Sequence, residues 1–171
     1  MTLNFSLLRP EFAWIAQQLI AALEDQGYDV NPYYGIRTLD QQAKLYRRSR
    51  STDTIRQICN DLRGKGCHYL ASVIERVGPQ KTGPWATNAL PGESYHCFGL
   101  AMDCLLTKDG RAGVDADYKV FADTARVLGL KAGYYFSHPD MGHVQLGKEN
   151  RPFGYTIKQI NDYFEVKDSD T

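Results

Sequence analysis

Within residues 94–103, read SYHCFGLAMD, an imidazole at His96 and a carboxylate at Asp103 stand seven residues apart with Gly99 between them. Both are ligand types that suit a borderline divalent cation such as zinc. The spacing does not read as one helix face, because Gly99 and the run LAMDCLL look like a turn entering a strand. In an unbroken strand an odd separation sends two side chains to opposite faces, so the backbone must break between them, and Gly99 can supply the bulge or bend. Past Gly99, Leu100, Met102, Cys104 and Leu106 fall on one face and Ala101, Asp103 and Leu105 on the other. Asp103 is then a carboxylate in an apolar strand, costly unless it is bound to metal, paired, or accepting backbone hydrogen bonds.

A second segment offers a third ligand. In HVQL, His143 and Gln145 share one strand face while Val144 and Leu146 pack on the other. Three protein ligands with an open fourth position are the pattern of a catalytic zinc site. Asp140, three residues earlier in PDMG, is close enough to take a proton from metal-activated water, and equally suits a turn after Pro139.

The elements that must position these residues follow from periodicity. Residues 10–26 read as a helix with Pro10 at its start, a stripe of Phe12, Ile15, Leu19 and Leu23, and Gly27 closing it. The strand-like aromatic stretch YDVNPYYGIRT then delivers Arg37 to a second helix, where Thr38 and Gln41 have capping-box spacing. A third helix opens after residues 49–52 with Ile55, Ile58, Cys59 and Leu62 inward, and a fourth carries Leu70, Val73, Ile74 and Val77. Residues 78–92 are a Gly- and Pro-rich loop ending at the first motif, well placed to line a site. KDGRAG is a turn. Residues 115–128 form a helix with Tyr118, Phe121, Ala122, Ala125 and Leu128 inward, 129–147 read as strand, loop, strand, and about 155–164 as a short helix before a frayed acidic tail at 166–171. The order predicts an α+β fold: one domain over 1–171, a small antiparallel sheet flanked by helices, and a helical insertion at about 52–77.

Composition excludes several classes. In 171 residues, 20 basic and 20 acidic side chains cancel, which removes the footprint of a nucleic-acid binder. No apolar run reaches membrane-spanning length, and MTLNFSLLRP lacks the basic and apolar regions of an export signal. The four cysteines form no C-x-x-C pair, against a structural zinc knuckle. Cys104 reads as a buried packing residue, and Cys59 and Cys67 as thiols that could pair in an oxidising compartment. His138 reads as an extra imidazole beside Asp140 or an exposed one, and His68 as a surface residue.

Taken together, Ser94, His96, Asp103, Asp140 and His143 match the pattern Ser-x-His-x6-Asp followed by an acidic residue, two spacers and His. That pattern resembles the zinc-dependent family of D-alanyl-D-alanine carboxypeptidases and L-alanyl-D-glutamate endopeptidases of bacterial cell walls and phage lysins. The family's Arg before a helix, with Gln four residues on, is matched by Arg37 and Gln41 in GIRTLDQQAKLY. WATNALPGESYHCFGLAMD is similar to the endopeptidase, endolysin-like branch, and the matched blocks span most of 28–147. The resemblance implies one catalytic zinc ion held by His96, Asp103 and His143, Asp140 as general base, and Arg37 on the developing oxyanion, with Gln41 on the substrate side. Ser94 would orient substrate or cap backbone. Two departures bear on loop shape and substrate subsite: Tyr134, Tyr135 and Phe136 stand where the family commonly has tryptophans, and Gly142 where a Pro often precedes the last His.

The activity so implied is hydrolysis of the peptidoglycan stem peptide at the L-Ala–D-Glu bond. Removal of terminal D-Ala is the enzymatic alternative, and a non-catalytic zinc-containing peptidoglycan-binding module the alternative of another class. A monomer made in the cytoplasm would reach the wall through a holin, as a lysin, or through a secretion machine, as an antibacterial effector with an immunity partner.

Overall fold

The computed structural model describes residues 3–81, 83, 84 and 86–169. Trp85, which opens the segment resembling the endopeptidases, and residues 170 and 171 of the tail lie outside the described residues. Two compact units emerge, one built from the described residues through Ile36 together with Phe98–Lys148, the other from Arg37–Cys97 with the described residues from Glu149 on.

The first unit holds the sheet. Strand β1 (Tyr28–Tyr34) pairs antiparallel with β2 (Ala101–Lys108), which also pairs with β3 (Arg111–Ala112) and β5 (His143–Gln145), and β4 (Lys131–Ala132) closes the edge beyond β5. The alternation read in β2 is present: Leu100, Met102, Cys104 and Leu106 are at most 3% exposed, whereas Leu105 is 52% exposed. Helix α1 (Pro10–Glu24) packs on β1 and on α5 (Asp115–Val127). Its inward stripe is Phe12, Ala16, Leu19 and Leu23, with Ile15, expected inward, only half-buried. Phe12 and Phe121 are fully buried, and removal of such a side chain from water stabilises by about 1.5–3 kcal/mol.

The polar seam of this unit was not legible in the sequence. Asp117, in the first turn of α5, accepts from the Val114 N–H at 2.9 Å, from Arg111 of β3 at 2.6 Å and from the Tyr28 hydroxyl of β1 at 3.3 Å. One carboxylate thus ties the start of α5 to two strands.

The second unit is helical. Helix α2 (Leu39–Arg47) begins at the predicted capping box. The insertion forms α3 (Thr52–Gly64) and α4 (His68–Arg76), with Ile55, Cys59 and Leu62 facing Leu70, Ala71, Val73 and Ile74 across an apolar seam. Side chains meet both ends of α4. The Asn161 side-chain carbonyl, 1% exposed on helix α6 (Ile157–Ser169), accepts from the Leu70 N–H at 3.1 Å, and buried Arg47 donates to the Ile74 carbonyl at 2.9 Å. Helix α6 runs to Ser169, beyond the expected end near residue 164. Lys158 pairs with Asp162 one turn on, and Asp168 is held by the Tyr69 hydroxyl, so the acidic end is anchored. Cys59, Cys67, Cys97 and Cys104 are all free and buried.

The Arg111 guanidinium and the Val114 N–H hold the Asp117 carboxyl down at about 2. A depressed folded-state pKa gives stability that is present above about pH 4 and lost as pH falls through about 2. Asp117→Asn should therefore lower Tm at neutral pH and flatten the acid limb between those values, read by circular dichroism melts across the pH series.

Candidate metal centre

Strand register brings the first two groups together. His143 of β5 lies directly opposite Asp103 of β2, with Val144 opposite Met102 and Gln145 opposite Ala101. Opposed residues share a face with Cβ atoms about 5 Å apart, so imidazole and carboxylate meet by pairing alone. His143 Nδ1 sits 2.9 Å from Asp103 Oδ1, and the two side chains are 10% and 15% exposed. On the other side of the ring, Nε2 lies 3.1 Å from the Gln145 amide oxygen, while the Gln145 amide nitrogen donates to the Gly147 carbonyl. Both ring nitrogens therefore face acceptors, an arrangement that demands positive charge in or beside the ring. Burial by itself disfavours the imidazolium and is the largest single effect. The hydrogen bond to Asp103, its charge, Gln145 and the charge of Asp140 together outweigh it, and the His143 pKa is raised.

His96 arrives by a different route. It rides on a short helical turn, Tyr95–Phe98, that runs through Gly99 directly into β2. Gly99 has φ +68°, and a Cβ there would lie 3.2–3.3 Å from the backbone of Leu7, Leu8 and Arg9, so both the conformation and the space call for glycine. This is the predicted break. His96 is 3% exposed, and it, Asp103 and His143 each offer one ligand atom, all within 4.8 Å of one another.

These residues fit a divalent cation. Ligand atoms on tetrahedral zinc at 2.0–2.1 Å lie about 3.3 Å apart, close to the 2.9 Å of the Nδ1–Oδ1 pair. A cation between His143 Nδ1 and Asp103 would take the place of the proton the pair otherwise demands. Gln145 would then accept from Nε2–H and fix the tautomer, as partners behind a metal-binding imidazole do.

The remaining candidates are placed by their backbone contacts. Asp140 is exposed, its carbonyl accepts from the His143 N–H at 3.1 Å, and its own N–H donates to the Gly133 carbonyl at 3.0 Å. Arg37 donates its backbone N–H to the His96 carbonyl at 3.0 Å, just ahead of the α2 cap. Ser94 is half-buried, and its carbonyl accepts from the Cys97 N–H at 3.0 Å to close the turn that carries His96. His138 and His68 are exposed.

Gln41, expected on the substrate side, is exposed in the first turn of α2. Its side-chain oxygen accepts from the Thr38 N–H at 2.9 Å, which completes the helix cap. The glutamine that meets Arg37 is its neighbour: fully buried Gln42 accepts from Arg37 Nη1 at 2.8 Å and donates to the Ala89 carbonyl at 2.8 Å. A polar residue on the apolar face of α2 was the available signal. Tyr33 also escaped the sequence reading. Pairing of β1 with β2 slips between Pro32 and Tyr34, leaving Tyr33 in the bulge, and its phenol pKa is raised by burial, then by the charges of Asp103 and Asp140. Pro32 inside a strand is the sequence mark of such a bulge.

Residues 6–152 match the family model described as VanY: D-alanyl-D-alanine carboxypeptidase. The chain belongs to that family, and with it to the peptidoglycan peptidases. No curated protein matches the chain. Among solved structures, it is similar to the L-Ala D-Glu endopeptidase ChiX of Serratia marcescens at 16% identity, covering 84% of each chain with a TM-score of 0.48. It is also similar to the LD-carboxypeptidase LdcB, at 21% identity over 92% of this chain and 64% of that one, TM-score 0.49. A third is the vancomycin-resistance D,D-pentapeptidase VanY of a VanB-type cassette in complex with Zn(II), at 16% identity over 92% and 78%, TM-score 0.46.

Gly142 sets the entry of β5. Its carbonyl accepts from the Cys104 N–H at 2.9 Å, and a Cβ on it would lie 2.3 Å from the Cys104 carbonyl oxygen. Gly142→Ala should push β5 away from β2, costing about 1–3 kcal/mol of stability by denaturant titration. It should also weaken metal affinity by tenfold or more in a competition assay with a chromogenic chelator.

Proposed function

We propose that this chain hydrolyses the stem peptide of peptidoglycan at the L-Ala–D-Glu bond with one zinc ion held by His96, Asp103 and His143. The observation that carries the reading is the convergence of those three side chains within 4.8 Å, in a chain whose family match runs from residue 6 to residue 152. That match passes through both compact units, which supports one peptidase domain that includes the α3–α4 insertion.

Bound zinc supplies a Lewis acid that brings the pKa of its water to about 7 and polarises the scissile carbonyl. The chain's own groups do the rest. Asp140, exposed next to His143, accepts the proton released from water and returns it to the leaving amine. Arg37, steadied by the buried amide of Gln42, presents a guanidinium whose pull strengthens as the carbonyl oxygen becomes negative. Gln145 holds the His143 ring in one orientation. Ser94 orients the peptide at the rim. The substrate assigned here lies in the cell wall, and no described helix is long and apolar enough to cross a membrane.

Removal of terminal D-Ala is the second reading, favoured by the description of the matched family. A binding module without turnover is disfavoured by the presence of both Asp140 and Arg37. Incubated with sacculi, the zinc-loaded protein should release new amino termini, and mass spectrometry of the products should show D-Glu at that terminus. Loss of a single D-Ala mass would favour the carboxypeptidase. Asp140→Ala should lower kcat by at least a hundredfold with zinc still bound at one per chain; full activity in that variant would remove Asp140 as the base.

A further inference from the structure

A depression of about 410 Å³ lies on the sheet unit beside the metal centre. Leu130, Tyr135 and Phe136 contribute its apolar lining, and Arg126, Lys131 and Lys148 contribute three cations. The chain as a whole is neutral, so this excess is local. Asp123 contacts two of these lining residues and is shared: it takes Lys119 at 2.7 Å and the Tyr135 hydroxyl, and stands 4.0 Å from Arg126.

Register fixes where the depression lies. Lys131 of β4 is opposite Gln145 of β5, so it projects to the same sheet face as Gln145 and His143. Two residues along β5 and one strand across places the Lys131 Cα about 8 Å from that of His143. Phe136 is common to both places: its ring centroid lies 5.7 Å from that of His143, and Lys131 Nζ lies 5.3 Å from the Phe136 centroid. The Lys131 ammonium reaches the Lys148 carbonyl at 3.4 Å, and the Arg126 guanidinium stacks 4.8 Å over Tyr135, so two of the three cations are steered by neighbours.

We propose that this depression is a substrate subsite that takes a carboxylate-bearing side chain of the stem peptide, about two residues from the bond that is cut. The inference rests on the peptidase reading above. Like charges gathered over an apolar lining repel one another, and an anion with an aliphatic stem relieves the repulsion while covering the rings. An extended chain advances about 3.3–3.6 Å per residue, so the roughly 8 Å between the Lys131 and His143 Cα atoms corresponds to about two residues of peptide.

The test measures binding by calorimetry to zinc-loaded Asp140→Ala protein, so that turnover does not interfere. The probes are L-Ala-γ-D-Glu-diaminopimelate with its side-chain carboxylate free or amidated, a peptide ending in D-Ala-D-Ala, and inorganic phosphate. The free acid should bind roughly five- to tenfold more tightly than the amide. Lys131→Gln with Lys148→Gln should erase that difference, while Lys131→Arg should keep it. Lys148 is exposed and Lys131 half-buried, and unchanged melting temperatures would exclude misfolding as the cause. Equal binding of acid and amide to the parent protein would overturn the subsite. So would lysine-dependent binding of phosphate alone, or of the D-Ala-D-Ala peptide in preference to the acidic one. Lysine-dependent binding of the acid by a parent enzyme that cuts no wall peptide would leave the subsite standing and overturn the hydrolase reading instead.

Discussion

A carboxylate in the second strand of a small sheet must find a positive partner, and the pairing of Asp103 with His143 across β2 and β5 answers that need. Much of the sheet unit can be understood from this contact. It requires β5 to lie in one register only, because a slip of one residue would turn His143 into the core and bring Val144 to the open face. It also leaves the imidazole between two acceptors, Asp103 and Gln145, an environment suited to a cation.

Two glycines make that pairing compatible with the rest of the chain. Gly99 turns the backbone so that His96, an odd number of residues before Asp103, comes to the same ion-sized space. Gly142 lets the loop carrying Asp140 close directly on the Cys104 backbone. Packing residues stay on the opposite face: Cys104 is 1% exposed, its thiol pushed up by burial, which makes it a poor competitor for metal. The aromatic run Tyr134, Tyr135 and Phe136 serves the same arrangement, with Tyr134 and Tyr135 bonded to Asp115 and Asp123 of α5 and Phe136 against the His143 ring.

Local patterns made much of this legible from sequence. The period-two run after Gly99 identified β2 and the face of Asp103, and the Thr38–Gln41 spacing marked the start of α2 next to Arg37. What depended on partners distant in sequence was not legible. Nothing local shows that Asn161 would cap α4 from another helix, that Asp117 would gather Arg111 and Tyr28, or that Asp168 would find Tyr69 and prolong α6. Gln41 and Gln42 are adjacent and chemically identical, and only the burial of one face of α2 separates the cap from the residue that holds Arg37. The cations around Phe136 come from α5, β4 and the segment after β5, and only the fold brings them together.

The most direct test of the central claim is X-ray absorption at the zinc edge on protein loaded with one zinc per chain, compared with His96→Ala. The account predicts a first shell of two imidazole nitrogens and oxygens at about 2.0–2.1 Å, with one imidazole lost in the variant. Sulfur at about 2.3 Å, or an all-oxygen shell unchanged by the substitution, would contradict it.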